Sequence, residues 1–378
     1  MDLKTDILII GGGLAGLTAA LHLNKAGLNV ILIEKNSYPN HKVCGEYVSN
    51  EVLPYFKWLG IDIETLNPTH INQLKLNTVS GKSICTTLPL GGFGISRYKL
   101  DNHLYLQLVA RRIKVVQENV IDVNFENDLF SVKTTNELTF TAKQVIGAYG
   151  KRSFLDIKFD RPFIKKKSEF LAVKAHYKGE FANNLVALYN FKGGYCGVSK
   201  IEDDKINICY LADYETFKRY KNIDLYQKEV LSKNKDLKHI LEKSELLFDA
   251  PITISQLSFG AKKAISNHVL MIGDTAGLIH PLCGNGMAMA IHGAKIVSEF
   301  LIKFFNGEIS SRNELEKRYS ATWNKNFNSR LKMGNVLSSL LQKEKLADFL
   351  LNSLTKMPSL LNQIIKKTHG KPLINDVD

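Results

Sequence analysis

The chain predicts an α/β fold with an α+β insertion: a parallel sheet of the nucleotide-binding type, a second, antiparallel sheet inserted into it, and a helical C-terminal segment. Three observations carry this. Continuous apolar runs ending in glycine-rich turns open the chain and recur near residue 270, as strands buried on both faces require. Between them, residues 72–88 and 171–211 supply short runs rich in β-branched and aromatic side chains, bounded by glycine and asparagine. From Ser310 onward, apolar residues recur at helical spacing with lysine and glutamate opposite.

Ile7-Leu8-Ile9-Ile10 is the first buried strand, and Gly11-Gly12-Gly13-Leu14-Ala15-Gly16 follows it as GxGxxG. Gly11 permits the tight turn, Gly13 lets a pyrophosphate approach the backbone, and Gly16 lets the helix pack on the strand. The helix N-terminus then offers amides and partial positive charge to phosphates. The second strand, Val30-Ile31-Leu32-Ile33, ends at Glu34, eighteen residues beyond Gly16, where an acidic side chain accepts both ribose hydroxyls of an adenosine. Strand, glycines, helix, second strand and acid arrive in order, which selects a Rossmann-like dinucleotide site over an ordinary βαβ turn. Glu34 disfavours a 2′-phosphate, and the motif alone leaves FAD and NAD open.

Val269-Leu270-Met271-Ile272 is another buried strand, followed by Gly273-Asp274-Thr275-Ala276-Gly277 and by His280-Pro281-Leu282-Cys283-Gly284-Asn285-Gly286-Met287. A carboxylate at the strand end suits a sugar-like hydroxyl. Gly284 and Gly286 open a helix N-terminus toward a planar ring, where the dipole favours negative charge.

At these residues the chain resembles the FAD-dependent oxidoreductases of the para-hydroxybenzoate hydroxylase fold, and among them the geranylgeranyl reductase-like branch. Gly273 to Ala290 resembles that family's GD motif; Val43-Cys44-Gly45-Glu46 resembles its VCGE segment; Arg97, Leu100, Asp101 and Leu104 resemble its Arg-led helix. The resemblance implies a Rossmann-like FAD-binding domain over 1–68, 92–155 and 262–305, a substrate-binding β-sheet domain over 69–91 and 156–261, and C-terminal helices over 306–378. It implies Gly11, Gly13, Leu14, Ala15 and Gly16 on the pyrophosphate, Glu34 and Lys35 at the adenosine ribose, Arg97 near the ribityl-phosphate and Val120 presenting its backbone to adenine. Asp274 would hold a ribityl hydroxyl, with Cys44, Gly45, Gly284, Asn285, Gly286 and Met287 beside the flavin ring. The activity implied is hydride transfer from reduced FAD to a carbon–carbon double bond of an apolar, isoprenoid-like or carrier-bound substrate. With no second GxGxxG, NAD(P)H is expected as a transient reductant. The rival readings are a flavin monooxygenase or halogenase, and an electron carrier without an organic substrate.

Two departures bear on these rivals. Tyr149 stands in Ile146-Gly147-Ala148-Tyr149-Gly150 where many members, especially hydroxylases, have an acid, and Gly277 stands where hydroxylases usually have His. Gly197, in Gly193–Gly197, replaces an aromatic residue of the family's pocket strand, which predicts a differently shaped pocket. Cys44 has two readings, a proton donor over the flavin or a small residue packed beside it. His280 and His292 are expected as packed or surface histidines, and Cys283 as loop packing.

In the C-terminal segment Leu331, Val336, Leu340, Leu341, Leu346, Phe349 and Leu350 form an apolar face expected to pack on the core, with a lipid-facing or pocket-capping role as the alternative. Five scattered cysteines without CxxC spacing exclude a disulfide framework and a zinc ribbon, and suit a reducing cytoplasm. The net charge is +13. No nucleic-acid motif accompanies it, so the expected partners are an anionic membrane surface, a phosphorylated substrate or an acidic carrier protein. Lys165-Lys166-Lys167 and Lys366-Lys367 are the candidate contacts.

Overall fold

The computed structural model describes residues 2–374, with 166–168, 342 and 357 outside the description. Five strands form a parallel array in the order Val269–Met271, Thr139–Gly147, Asp2–Ile10, Val30–Glu34, Lys114–Gln117. Ile7 to Ile10 are buried on both faces, which is why this run is apolar without alternation. Helix Leu14–Lys25 follows the first strand and is flanked by Arg97–Ala110 and Gly286–Phe305. An antiparallel ribbon, Val120–Glu126 with Leu129–Thr134, folds back onto Thr139–Gly147.

Among the described residues the second sheet has nine strands and contains the strands expected over residues 72–88 and 171–211. It is mixed where the sequence suggests antiparallel: Thr69–Asn77 runs parallel to Leu185–Phe191. The chain visits this sheet in separate passes, and a long excursion through the first sheet separates the two that meet there, so the hairpin constraint that enforces antiparallel pairing is absent. Tyr47–Ser49, within the 1–68 stretch, pairs with Ser83–Gly94 and so extends the second sheet. Gly194–Lys200 is a strand of this sheet, between Leu185–Phe191 and Ile206–Asp213.

Helix Arg312–Leu341 lies against the first core through Leu315, Tyr319, Trp323 and Phe327, a buried stripe at four-residue spacing. The Tyr319 hydroxyl donates to the Met271 carbonyl at 2.6 Å. The apolar face expected further on is not the buried one throughout: Leu331 approaches Gly277, but Val336 and Phe349 are 51% and 66% exposed. The earlier stripe occupies the core, Leu331 and Leu337 pack at its edge, and Val336 faces outward between them. The side chains of Leu341 and Leu350 lie outside the described residues. Leu354, Leu361 and Ile365, from helices Glu344–Lys356 and Pro358–Thr368, instead bury against Tyr47, Ile71 and Leu88 of the second sheet. No described helix is long and apolar enough to cross a membrane.

Candidate cofactor and substrate site

The glycine loop sits at the carboxyl end of Asp2–Ile10, where a doubly wound sheet opens a crevice. Gly11 has φ +106°, and a Cβ there would lie 2.4 Å from the Ala148 carbonyl oxygen. A Cβ on Gly16 would lie 2.0 Å from the Gly11 carbonyl oxygen, so only glycine lets helix and strand touch. Gly13 differs: nothing crowds it, and the nearest atoms to its would-be Cβ are Arg97 Nη2 at 3.6 Å and Lys42 Nζ at 3.9 Å. Helix Leu14–Lys25 has no side-chain cap and no acid in its first turn, leaving its first amides and positive dipole end for an anion. Leu14 is buried in the core, so its backbone alone faces the loop.

Glu34 is buried at the end of its strand. Its Oε2 accepts from the Gly12 amide at 2.6 Å, and its Oε1 from the Asn36 amide at 3.0 Å. Lys35 is exposed beside it. The Glu118 amide donates to the Glu34 carbonyl at 3.0 Å, which brings the start of Val120–Glu126 alongside. Arg97 opens its helix and bonds Asp101 through both Nε and Nη2, at 2.7 and 2.6 Å, and Lys42 meets the same carboxylate at 3.1 Å. Burial opposes the Arg97 charge, but Asp101 prevails and holds the guanidinium above its ordinary pKa.

The second motif closes on the first. Gly273, with φ +58°, faces Ala15 so closely that a Cβ would meet the Ala15 methyl at 3.0 Å. Asp274 is half-buried at this turn, within electrostatic reach of Arg97. Lys262 Nζ donates to the Asp274 carbonyl at 2.7 Å, and burial lowers the Lys262 ammonium to about 8. Gly284 is left-handed at φ +60°, with Tyr47 Cδ1 3.3 Å from its would-be Cβ. Helix Gly286–Phe305 again starts without a side-chain cap or an acid in its first turn. Asn285 turns its amide away, to Glu51 Oε2 at 3.2 Å and Arg330 Nη1 at 3.2 Å, so only its backbone remains for the loop. Met287 packs into the core. Cys283 is buried and pushed up to about 12, a packing thiol. His280 is likewise buried, lowered to about 4 and bonded to Ser338 at 2.9 Å.

A buried apolar cluster joins the second sheet to the segment that leads into this loop. Ala172, Leu188, Tyr195 and Leu211 of the second sheet cluster with Leu278, and Val43 and Leu282 pack on them. A Cβ on Gly197 would meet Leu188 Cδ2 at 3.6 Å, an ordinary contact. Cys44 follows Val43, half-buried, and its carbonyl accepts from Asn207 Nδ2 at 3.2 Å.

Sequence reasoning missed the polar centre beside Cys44. Glu46 is fully buried in the left-handed region, at φ 54°. Its Oε1 accepts from Lys174 Nζ at 2.7 Å and from the Arg97 amide at 2.8 Å, and its Oε2 meets His176 Nε2 at 2.7 Å. Burial would raise this carboxyl, but the bonds to His176 and Lys174 hold it below the usual glutamate range. One signal was available: Lys174 and His176 occupy alternate positions, hence one face, of an otherwise apolar strand.

The residues present fit a dinucleotide: an uncrowded glycine at an uncapped helix start, two cations beside it, and a buried acid at the neighbouring strand end. Comparison with known proteins agrees. Residues 4–324 match the model of the FAD binding domain family. Conditioned medium factor receptor 1 of Dictyostelium discoideum is 24% identical, covering 89% of this chain and 71% of that protein. Digeranylgeranylglycerophospholipid reductase 1 of Methanosphaera stadtmanae is 25% identical over 86% of this chain and 82% of its own. Among solved structures, a flavin-dependent brominase superimposes with a TM-score of 0.81 at 18% identity, covering 97% of this chain and 93% of the other. The chain belongs to the FAD binding domain family, and is an FAD-dependent oxidoreductase resembling the geranylgeranyl reductase-like branch.

Proposed function

We propose that this flavoprotein reduces carbon–carbon double bonds of an apolar, isoprenoid-like substrate, with NAD(P)H visiting as reductant. The observation that carries the reading is the apolar character of the second sheet where it meets residues 278–282, through Leu188, Tyr195, Leu211 and Leu278, which suits a hydrocarbon better than a small polar phenol. When bound, FAD supplies the hydride to one carbon of the double bond. The chain's own residues hold the rest: Arg97, Lys42 and the glycine loop take the phosphates, and the uncapped helix at Gly286 favours negative charge at the ring's edge. In this reading the Cys44 thiol hands a proton to the other carbon, its Sγ meanwhile accepting from the Glu46 amide at 3.5 Å. Support also comes from the named relative that is a reductase, and from Gly277, where a Cβ would lie 2.7 Å from Trp323, leaving no room for the hydroxylases' histidine.

The test is anaerobic. Dithionite-reduced protein mixed with geranylgeranyl lipids should return product carrying two more hydrogens per double bond, and Cys44→Ala should slow this while Cys44→Ser retains part of it. Oxygen-dependent hydroxylation or halogenation is the second reading, favoured by the fold likeness to the brominase; product formed only in air would establish it and reject reduction.

A further inference from the structure

A cavity of about 1070 Å³ lies between helices Gly286–Phe305 and Arg312–Leu341, strand Ser83–Gly94 and residues 365–374. Its charge is one-sided. Lys295 and Arg330 sit deep in it, 8% and 7% exposed, while Lys325, Lys366, Lys367 and Lys371 stand exposed around it. Among the described residues no carboxylate lines it. Lys295 pairs with Glu299 and Arg330 with Glu51; among the described residues the four outer lysines have no ion-pair partner. The remaining wall is apolar, with Leu88, Met333 and Ile365.

His292 and His369 also line the cavity. The surrounding field is positive: burial, then Arg330 and Lys295, lower His292 to about 3. Tyr47 closes one end of the cavity, and its ring backs onto the Gly284 loop.

We propose that this cavity binds the phosphate group of an amphiphile, with its apolar chain along Leu88, Met333 and Ile365. Four unneutralised ammonium groups exceed what a single carboxylate offsets and suit a phosphate. The cavity is of the size that encloses a whole small molecule rather than one ion, and its apolar wall gives a free phosphate nothing. The site stands apart from the hydride chemistry and does not require the bound molecule to be the one reduced.

The experiment is calorimetric titration of the oxidised, FAD-loaded full chain with monomeric dihexanoyl phosphatidate. Binding is expected, weakened about tenfold or more by Lys366→Glu/Lys367→Glu/Lys371→Glu and unchanged by the equal charge reversal Lys228→Glu/Lys233→Glu/Lys235→Glu elsewhere on the surface. Uncharged dihexanoylglycerol should bind about tenfold more weakly or worse, and inorganic phosphate should compete only at far higher concentration. The proposal is overturned by absence of binding, by equal affinity for the uncharged lipid, by an unchanged 366/367/371 variant, or by inorganic phosphate competing as strongly as the amphiphile, which would make it an ion site. No turnover is involved, so any of these results leaves the reductase reading standing.

Discussion

Glu46→Gln removes one charge from the polar centre and almost no volume. Glu46 and Lys174 are fully buried and His176 is 3% exposed. The amide can still accept from Lys174 or the Arg97 amide, but the Lys174 ammonium is then left without a counter-ion. Breaking a buried ion pair from one side costs about 3–5 kcal/mol, and the Phe248 ring, 5.6 Å from Lys174 Nζ, flanks the ammonium in both proteins and offsets none of it. The expected loss is therefore about 3–5 kcal/mol, read as a lowered urea midpoint followed in parallel by flavin fluorescence and far-ultraviolet circular dichroism. Adding Lys174→Met should restore most of it, because the orphaned charge goes too. The pH dependence has a definite sign. The folded carboxyl lies below its unfolded value, so its contribution is present above the ordinary glutamate range and is lost as acid protonates it; the variant's acid limb should be flatter than the wild type's. A loss below about 1 kcal/mol, or a double variant weaker than the single one, would refute the account of Glu46 as the counter-ion of Lys174.

Three other outcomes are expected. Gly16→Ala drives a methyl into the Gly11 carbonyl, 2.0 Å away, and should leave purified protein with little bound flavin by its absorbance ratio. Arg97→Ala should weaken FAD binding about 10- to 100-fold through loss of a charged phosphate contact; Arg97→Lys should recover only part, because a single ammonium cannot reproduce the two-pronged bond to Asp101, and full recovery by equilibrium dialysis would count against that geometry. His280 is held neutral by burial down to about pH 4, whereas the unfolded ring protonates near 6.5. Its contribution to stability is therefore complete above pH 6.5 and falls as pH drops, by up to about 1.4 kcal/mol per unit. His280→Gln should flatten the acid side of the stability curve, and an unaltered slope would show that the ring is not buried neutral.

What was legible in the sequence was local. The glycine loop, the Glu34 strand end and the Asp274 turn are each written within a few residues, because backbone conformation and close approach at one point dictate glycine, and a strand end dictates where an acid can reach. The second sheet's strands were legible for the same reason, from runs of suitable side chains. Its parallel pair was not, since that depends on how passes 69–77 and 185–191 meet after the chain has gone elsewhere. The C-terminal segment was misread in part because more than one of its stripes is apolar; the core selected Leu315, Tyr319, Trp323 and Phe327 and left Val336 on the same helix, and Phe349 on the next, exposed. Lys366 and Lys367 gain their setting from Lys295, Lys325 and Arg330, which only folding brings to one cavity. Lys166 and Lys167 lie outside the described residues.

The sequence by itself determined a dinucleotide-binding βαβ unit and the FAD motifs, because these depend on steric needs met within one turn or one strand. Tertiary structure alone decided the Glu46–Lys174–His176 centre, whose members stand 128 and 130 residues apart, and the basic cavity beneath the C-terminal helices. A buried charge must find its partner wherever packing delivers one, and no local pattern records that distance.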